Sequence, residues 1–111
     1  MLLSFVPLNS CSPIVGNRAF GGEVQRVIEC AGAFIQGLTD GGAIACAKHF
    51  PGHGACPQDS HTESAVAFDA IDAHLEPYRA LKDKLPSIMA GHIEFPLIDE
   101  SGLPATRSKK L

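Results

Sequence analysis

The chain of 111 residues carries 12 acidic and 9 basic side chains for a net charge of −3, and is 45% hydrophobic but only 19% charged, against roughly 25% charged in an average soluble domain. That length suits one small domain and excludes two, while Lys and Arg, scattered until Arg107, Lys109 and Lys110, form no basic stripe to attract nucleic acid. So few charges leave little for fully solvated faces, which fits a piece whose surfaces touch more protein.

The opening, MLLSFVPLNS, has an apolar run that stops at Pro7 and lacks a positive leader. It is far shorter than the roughly 20 residues that span a bilayer, so neither an export signal nor a membrane partner is expected. Residues Leu2 to Leu8 read instead as a buried strand, feeding a loop through Asn9, Ser10, Ser12 and Pro13 that continues to Gly22. From Glu23 the residues Val24, Val27, Ile28, Ala31, Phe34, Ile35 and Leu38 recur at spacings of three and four, which predicts a helix over about 23–38. The Gly41-Gly42 pair stops it. Ala43 to Ala47 is then an uninterrupted apolar run, as expected for a parallel strand covered on both faces.

A loop rich in Gly, Pro, His and Asp follows, and a second helix is expected from Ile71 or Asp72 to Leu85. Its face would carry Leu75, Tyr78, Leu81 and Leu85, with Pro77 in its first turns. Ser87 to His92 reads as a third buried strand. The order strand, helix, strand, helix, strand implies crossover connections and a parallel sheet. In such folds polar groups that do chemistry gather at the C-terminal ends of strands. Here the three strands run into Asn9 and the loop carrying Arg18, into Lys48 and His49, and into His92. Three strands neither close a barrel nor protect their edges, so the chain reads as an incomplete α/β fold.

The densest polar cluster is Lys48, His49, His53, Asp59 and His61, in a loop whose Gly52 and Gly54 permit tight turns. Asp59 and His61 are two apart, close enough for the carboxylate to accept from the imidazole, fix its tautomer and raise its pKa. A histidine so held can act as general acid and then as general base near neutral pH. Lys48 and His49 adjoin at a strand end, where strict alternation would separate them unless the strand unwinds. Around a polar substrate they would donate hydrogen bonds to hydroxyl groups. Arg18 suits either a surface charge or the pocket. His49, His53, Cys56 and His61 are zinc-type ligands, but their spacing fits no standard finger or HExxH helix, so no metal is expected. Cys11, Cys30, Cys46 and Cys56 show no CxxC pair and read as thiols in a reducing compartment, which points to the cytoplasm.

KHFPGHG at Lys48–Gly54 followed by DSH at Asp59–His61, with IVGNRAFG at Ile14–Gly21, IMAGHIEFPLID at Ile88–Asp99, and PAT and Ser108 beyond, resembles the N-terminal barrel domain of glycoside hydrolase family 3. The likeness is to its bacterial β-N-acetylglucosaminidases and runs along nearly the whole chain. It implies that residues 1–111 form part of a (β/α)8 TIM-type barrel, about three strands and two helices. It further implies hydrolysis of terminal β-linked N-acetylglucosamine with retention, as in recycling of cell-wall muropeptides, without a cofactor. On this resemblance His61 is the proton donor and later the base, Asp59 orients it, and Arg18, Lys48 and His49 bind the sugar. A histidine thus replaces the carboxylic acid usual in retaining glycosidases. The family's nucleophilic aspartate belongs to a motif downstream of the segment near Ser108, and Pro7, Leu8, Asn9 and Ser10 stand where the family has P-V-x-D.

The expectation is therefore a fragment of such an enzyme, inactive alone, with an amino-sugar or muropeptide substrate. One rival is a catalytically inactive sugar-binding or interaction remnant using its exposed sheet edges. The other is a small zinc protein whose folding needs metal. The sequence leaves the oligomeric state open.

Overall fold

The computed structural model describes residues 19–54, 56, 64–68 and 71–111, together with the backbone of 2–4. Arg18, Asp59 and His61 lie outside the described residues, as does the loop expected from Asn9 onward to Arg18.

The first helix, α1, spans Val24–Asp40. Glu23 precedes it in an extended conformation, and its carboxylate accepts from the backbone amides of Gln25 and Arg26, both at 3.2 Å. These are two of the donors that a helix start leaves without an internal partner. Val27, Ala31 and Ile35, four residues apart, are fully buried, while Ile28, Phe34 and Leu38 flank them half-buried. Burying a Val or Ile side chain is worth roughly 1.5–3 kcal/mol, so this stripe sets which face turns inward. The helix runs two residues past the expected Leu38. It ends where Gly42 takes φ +76°, a left-handed conformation, and the Ala43 amide closes onto the Leu38 carbonyl at 2.8 Å.

Three strands, β1 (Leu2–Ser4), β2 (Cys46–Phe50) and β4 (Ile88–Ala90), form a parallel sheet in the order β1-β2-β4. The parallel arrangement is the one expected, and β2 is its centre, pairing Leu2 with Cys46 on one side and Ala47 with Ile88 on the other. The central strand lies three residues later than the expected Ala43–Ala47. The apolar run is broken in two by its neighbours: Ala43 closes the helix, Ile44 is 73% exposed, and ladder bonds begin at Cys46. Pairing, which an apolar run does not encode, therefore carries Lys48 and His49 into the strand.

The second helix, α2, spans Ile71–Leu81, four residues short of the expected Leu85. Pro77 lies in its second turn, as expected, and removes the amide that would bond the Ala73 carbonyl. Its buried residues are His74, Pro77, Tyr78 and Leu81, so the inward face is rotated from the expected one, with His74 buried and Leu75 half-buried. Val27, Ala31 and Ile35 of α1, Ala45 and Ala47 of the central segment, and Tyr78 and Leu81 of α2 form one core. Gly32 lets the helices approach, because a Cβ there would lie 3.3 Å from Leu81 Cδ2.

Two strands too short to leave a periodic signature, β3 (Ala65–Val66) and β5 (Ile93–Glu94), pair in parallel as a separate sheet. They carry a second core of Cys56, Ala65, Ala67, Ile93 and Phe95. The expected third strand, Ser87–His92, is thus split: Ile88–Ala90 joins the main sheet and Ile93–Glu94 the small one, with Gly91 and His92 between them. No helix among the described residues is long and apolar enough to cross a membrane.

Candidate functional site

Strand β2 delivers Lys48 and His49 toward the C-terminal end of the central strand, where parallel α/β folds collect their functional groups. Burial alternates regularly along β2, but its pairing with β4 does not stay in register. Lys48 pairs with Met89, the register then shifts, and Phe50 rather than His49 stands opposite Ala90. The peptides Lys48–His49 and Phe50–Pro51 are cis. Lys48 is half-buried and His49 is buried.

The segment after β2 folds back inward instead of leaving the protein. Pro51, Gly52, His53 and Gly54 are all buried, and the Cys56 amide donates to the His53 carbonyl at 3.3 Å. His49 and His53 meet edge to face, their ring centroids 5.4 Å apart. From the other side the Gly91 amide donates to the Phe50 carbonyl at 2.7 Å, tying the end of β4 to the end of β2. A Cβ at Gly91 would lie 3.1 Å from His49 Cβ, so glycine there leaves room for the histidine. Phe50 in turn stacks edge-on against Tyr78, centroids 5.2 Å apart. Burial pushes the Tyr78 phenol well above its ordinary pKa, and the neighbouring Cys46 thiol adds to the rise.

Of the expected cluster, the structure brings His49 and His53 into contact, with Lys48 preceding His49 in the same strand. An ammonium and imidazoles at a strand end can donate hydrogen bonds to substrate hydroxyls or accept from them. Among the described residues no three His, Cys, Asp or Glu side chains are grouped to hold a metal ion. Cys30 and Cys46 are half-buried thiols. His92 is exposed beyond β4, with its Nδ1 2.7 Å from Thr106 Oγ1.

Three residues carry structural roles that the sequence pattern did not assign: two, His74 and Gly91, pack at the end of β2, and the third, Asp99, lies in the C-terminal segment. His74 shares a helical face with Tyr78 and Leu81 at spacings of four and seven, a signal obscured by reading only apolar residues. Gly91 gave no signal apart from the motif around it. Asp99 is a buried carboxylate held down to a pKa of about 2, chiefly by the Ser108 hydroxyl, then by Ser101, with Lys110 contributing less.

Fold and site together define a parallel α/β segment with basic and imidazole groups at the end of its central strand. Residues 6–111 match the glycosyl hydrolase family 3 N-terminal domain, and the chain belongs to this family. A "Beta-hexosaminidase" of Idiomarina loihiensis is 38% identical over 104 residues, which take in 87% of this chain and 32% of that protein. The family 3 β-N-acetylglucosaminidase of Paenibacillus sp. FPU-7 superposes with a TM-score of 0.85 at 33% identity, covering 94% of this chain and 21% of that one. NagZ of Neisseria gonorrhoeae, solved with N-trifluoroacetyl-D-glucosamine, gives a TM-score of 0.78 at 31% identity, covering 94% and 31%. The chain thus spans about a third of the length of the curated relative it matches.

Proposed function

We propose that these residues are the sugar-gripping and acid/base part of a retaining β-N-acetylhexosaminidase, and that they form a segment of a (β/α)8 barrel within residues 1–111. The observation that carries this reading is the delivery of Lys48 and His49 by the central strand into the buried KHFPGHG turn, in a chain of family 3. The barrel reading is supported by the order β1-β2-β4, which follows the chain, and by the single core that α1 and α2 share against Ala45 and Ala47.

In this reading Arg18, Lys48 and His49 hold a terminal N-acetylglucosamine unit, which suits the amino-sugar ligand of the Neisseria structure. His61 protonates the departing oxygen and then deprotonates water, and Asp59 orients its ring and stabilises the imidazolium. The nucleophile is a carboxylate supplied by other residues of the complete enzyme, as retention through a covalent glycosyl intermediate requires. Muropeptides of the cell wall are the proposed natural substrates and the cytoplasm the proposed site of action.

The test sets residues 1–111 into the matching third of the Idiomarina relative. In that chimera His61→Ala should lower kcat/KM by roughly 10²–10⁴ on an aryl N-acetylglucosaminide with a poor leaving group, and by much less with a good one. Equal losses on both would remove His61 from the acid role. A second reading, a non-catalytic sugar-binding or interaction remnant, draws on the exposed edge residues Ile88 and Met89 of β4. Saturable N-acetylglucosamine binding by the chimera without turnover would favour it.

A further inference from the structure

His74 is 2% exposed, although it belongs to a helix whose first turn is solvated and acidic at Asp72. Its ring lies against the backbone of Gly52, in the middle of the turn that follows β2. A side-chain carbon at residue 52 would collide with the imidazole, falling 2.9 Å from His74 Cγ and 3.1 Å from its Cβ and closer still to Nδ1. Real Cβ contacts essentially never come that near. The glycine is thus required by the packing of the histidine. His53, the next residue after Gly52, is 1% exposed, and its ring meets that of His49. His49 is in turn backed by Gly91. His74 of α2 thus meets the turn at Gly52, and the adjoining His53 meets His49 at the end of the central strand.

We propose that His74 is a positioning residue for the sugar site: packed beneath Gly52, it fixes the turn that orients the rings of His53 and His49. Close-packed interiors transmit such constraints because a neighbour cannot relax into a void without losing its own contacts. The inference rests on the reading of Lys48 and His49 as sugar-binding residues.

The ring carbon resonances of His49 and His53 in the 111-residue chain test the positioning, with His74→Ala and His74→Asn as variants. Both variants should shift these ring signals while leaving the amides of Ala31 and Ile35 in α1 in place. Unmoved ring signals would overturn the inference. So would loss of folding in both variants with the α1 amides lost as well, because that marks a general core residue. Thermal unfolding supplies a second arm. Gly52→Ala should lower Tm by roughly 5 °C or more in the parent and by much less in His74→Ala, where the colliding ring is gone. Equal losses in the two backgrounds would show that Gly52 does not meet His74.

Titration with N-acetylglucosamine, followed at the same ring signals, separates this inference from the reading it rests on. Weaker binding in His74→Asn than in the parent supports both. Equal binding by the two sinks the positioning role. If the parent binds no sugar, the sugar-site reading fails, while the ring signals and the Gly52 comparison still decide whether His74 holds the turn.

Discussion

Oδ2 of Asp99 accepts from the Ser108 hydroxyl at 2.6 Å and Oδ1 from the Ser101 amide at 3.1 Å, with Lys110 Nζ 3.9 Å away. The Ser108 oxygen then accepts from the amides of Lys110 and Leu111. One carboxylate thus knots residues 108–111 to the turn at 96–102. Because these donors favour the charged form, the latch contributes fully above the usual carboxylate range near pH 4. It is lost as the pH falls through about 2. The amide signals of Ser101 and Lys110 should accordingly titrate with a midpoint near 2, and a midpoint near 4 would show that the latch does not form. Asp99→Asn should release the same amides at neutral pH, visible as faster exchange at Lys110 and Leu111. Lys48 belongs to the same scale. It is half-buried at a strand end; on the proposed sugar-binding role, Lys48→Met should weaken N-acetylglucosamine binding by about tenfold, the loss expected for a charged hydrogen bond, without altering Tm by more than a few degrees.

At the scale of elements, α1 is held by features that can be varied separately. Glu23→Ala removes the acceptor for two helix-start amides, and we expect a loss of about 0.5–1 kcal/mol, read as a lower Tm. Gly37 lies in α1 with nothing within 4 Å of where a Cβ would stand. Gly37→Ala should therefore stabilise the helix by about 0.5–1 kcal/mol by reducing the freedom of the unfolded chain; an unchanged or lower Tm would mean that the position is constrained. These helices were legible because an amphipathic stripe repeats over several turns. The strands were less so. Ala43–Ala47 and Cys46–Phe50 overlap by only two residues, since ladder bonds to β1 and β4, not apolarity, determine which residues are extended. Two-residue strands such as Ala65–Val66 have no period to detect.

Across the whole molecule, Ile44, Phe68, Ile88, Met89 and Leu97 remain exposed, and β4 ends the main sheet with its outer side unpaired among the described strands. A groove of about 590 Å³ along α1 is lined by Phe20, Cys30, Ala33, Phe34, Gly37 and Leu38. Exposed apolar side chains and a bare sheet edge favour association. The 111-residue chain should therefore form larger species as concentration rises, and Met89→Lys should suppress this in sedimentation experiments. A chain that stays monomeric at millimolar concentration would show these faces to be harmless. The chain alone should also give negligible turnover of an aryl N-acetylglucosaminide, and rates comparable with a full-length relative would refute the need for a carboxylate from elsewhere.

The sequence by itself determined the family, the parallel α/β character and both helices, because motif residues and apolar periodicity are local properties of the chain. Only the tertiary structure decided that β2 extends through Lys48 and His49, that His74 rather than Leu75 turns inward, and that Gly52 and Gly91 flank the two buried histidines. Each of those depends on which distant segment packs against which, and no local pattern carries that information.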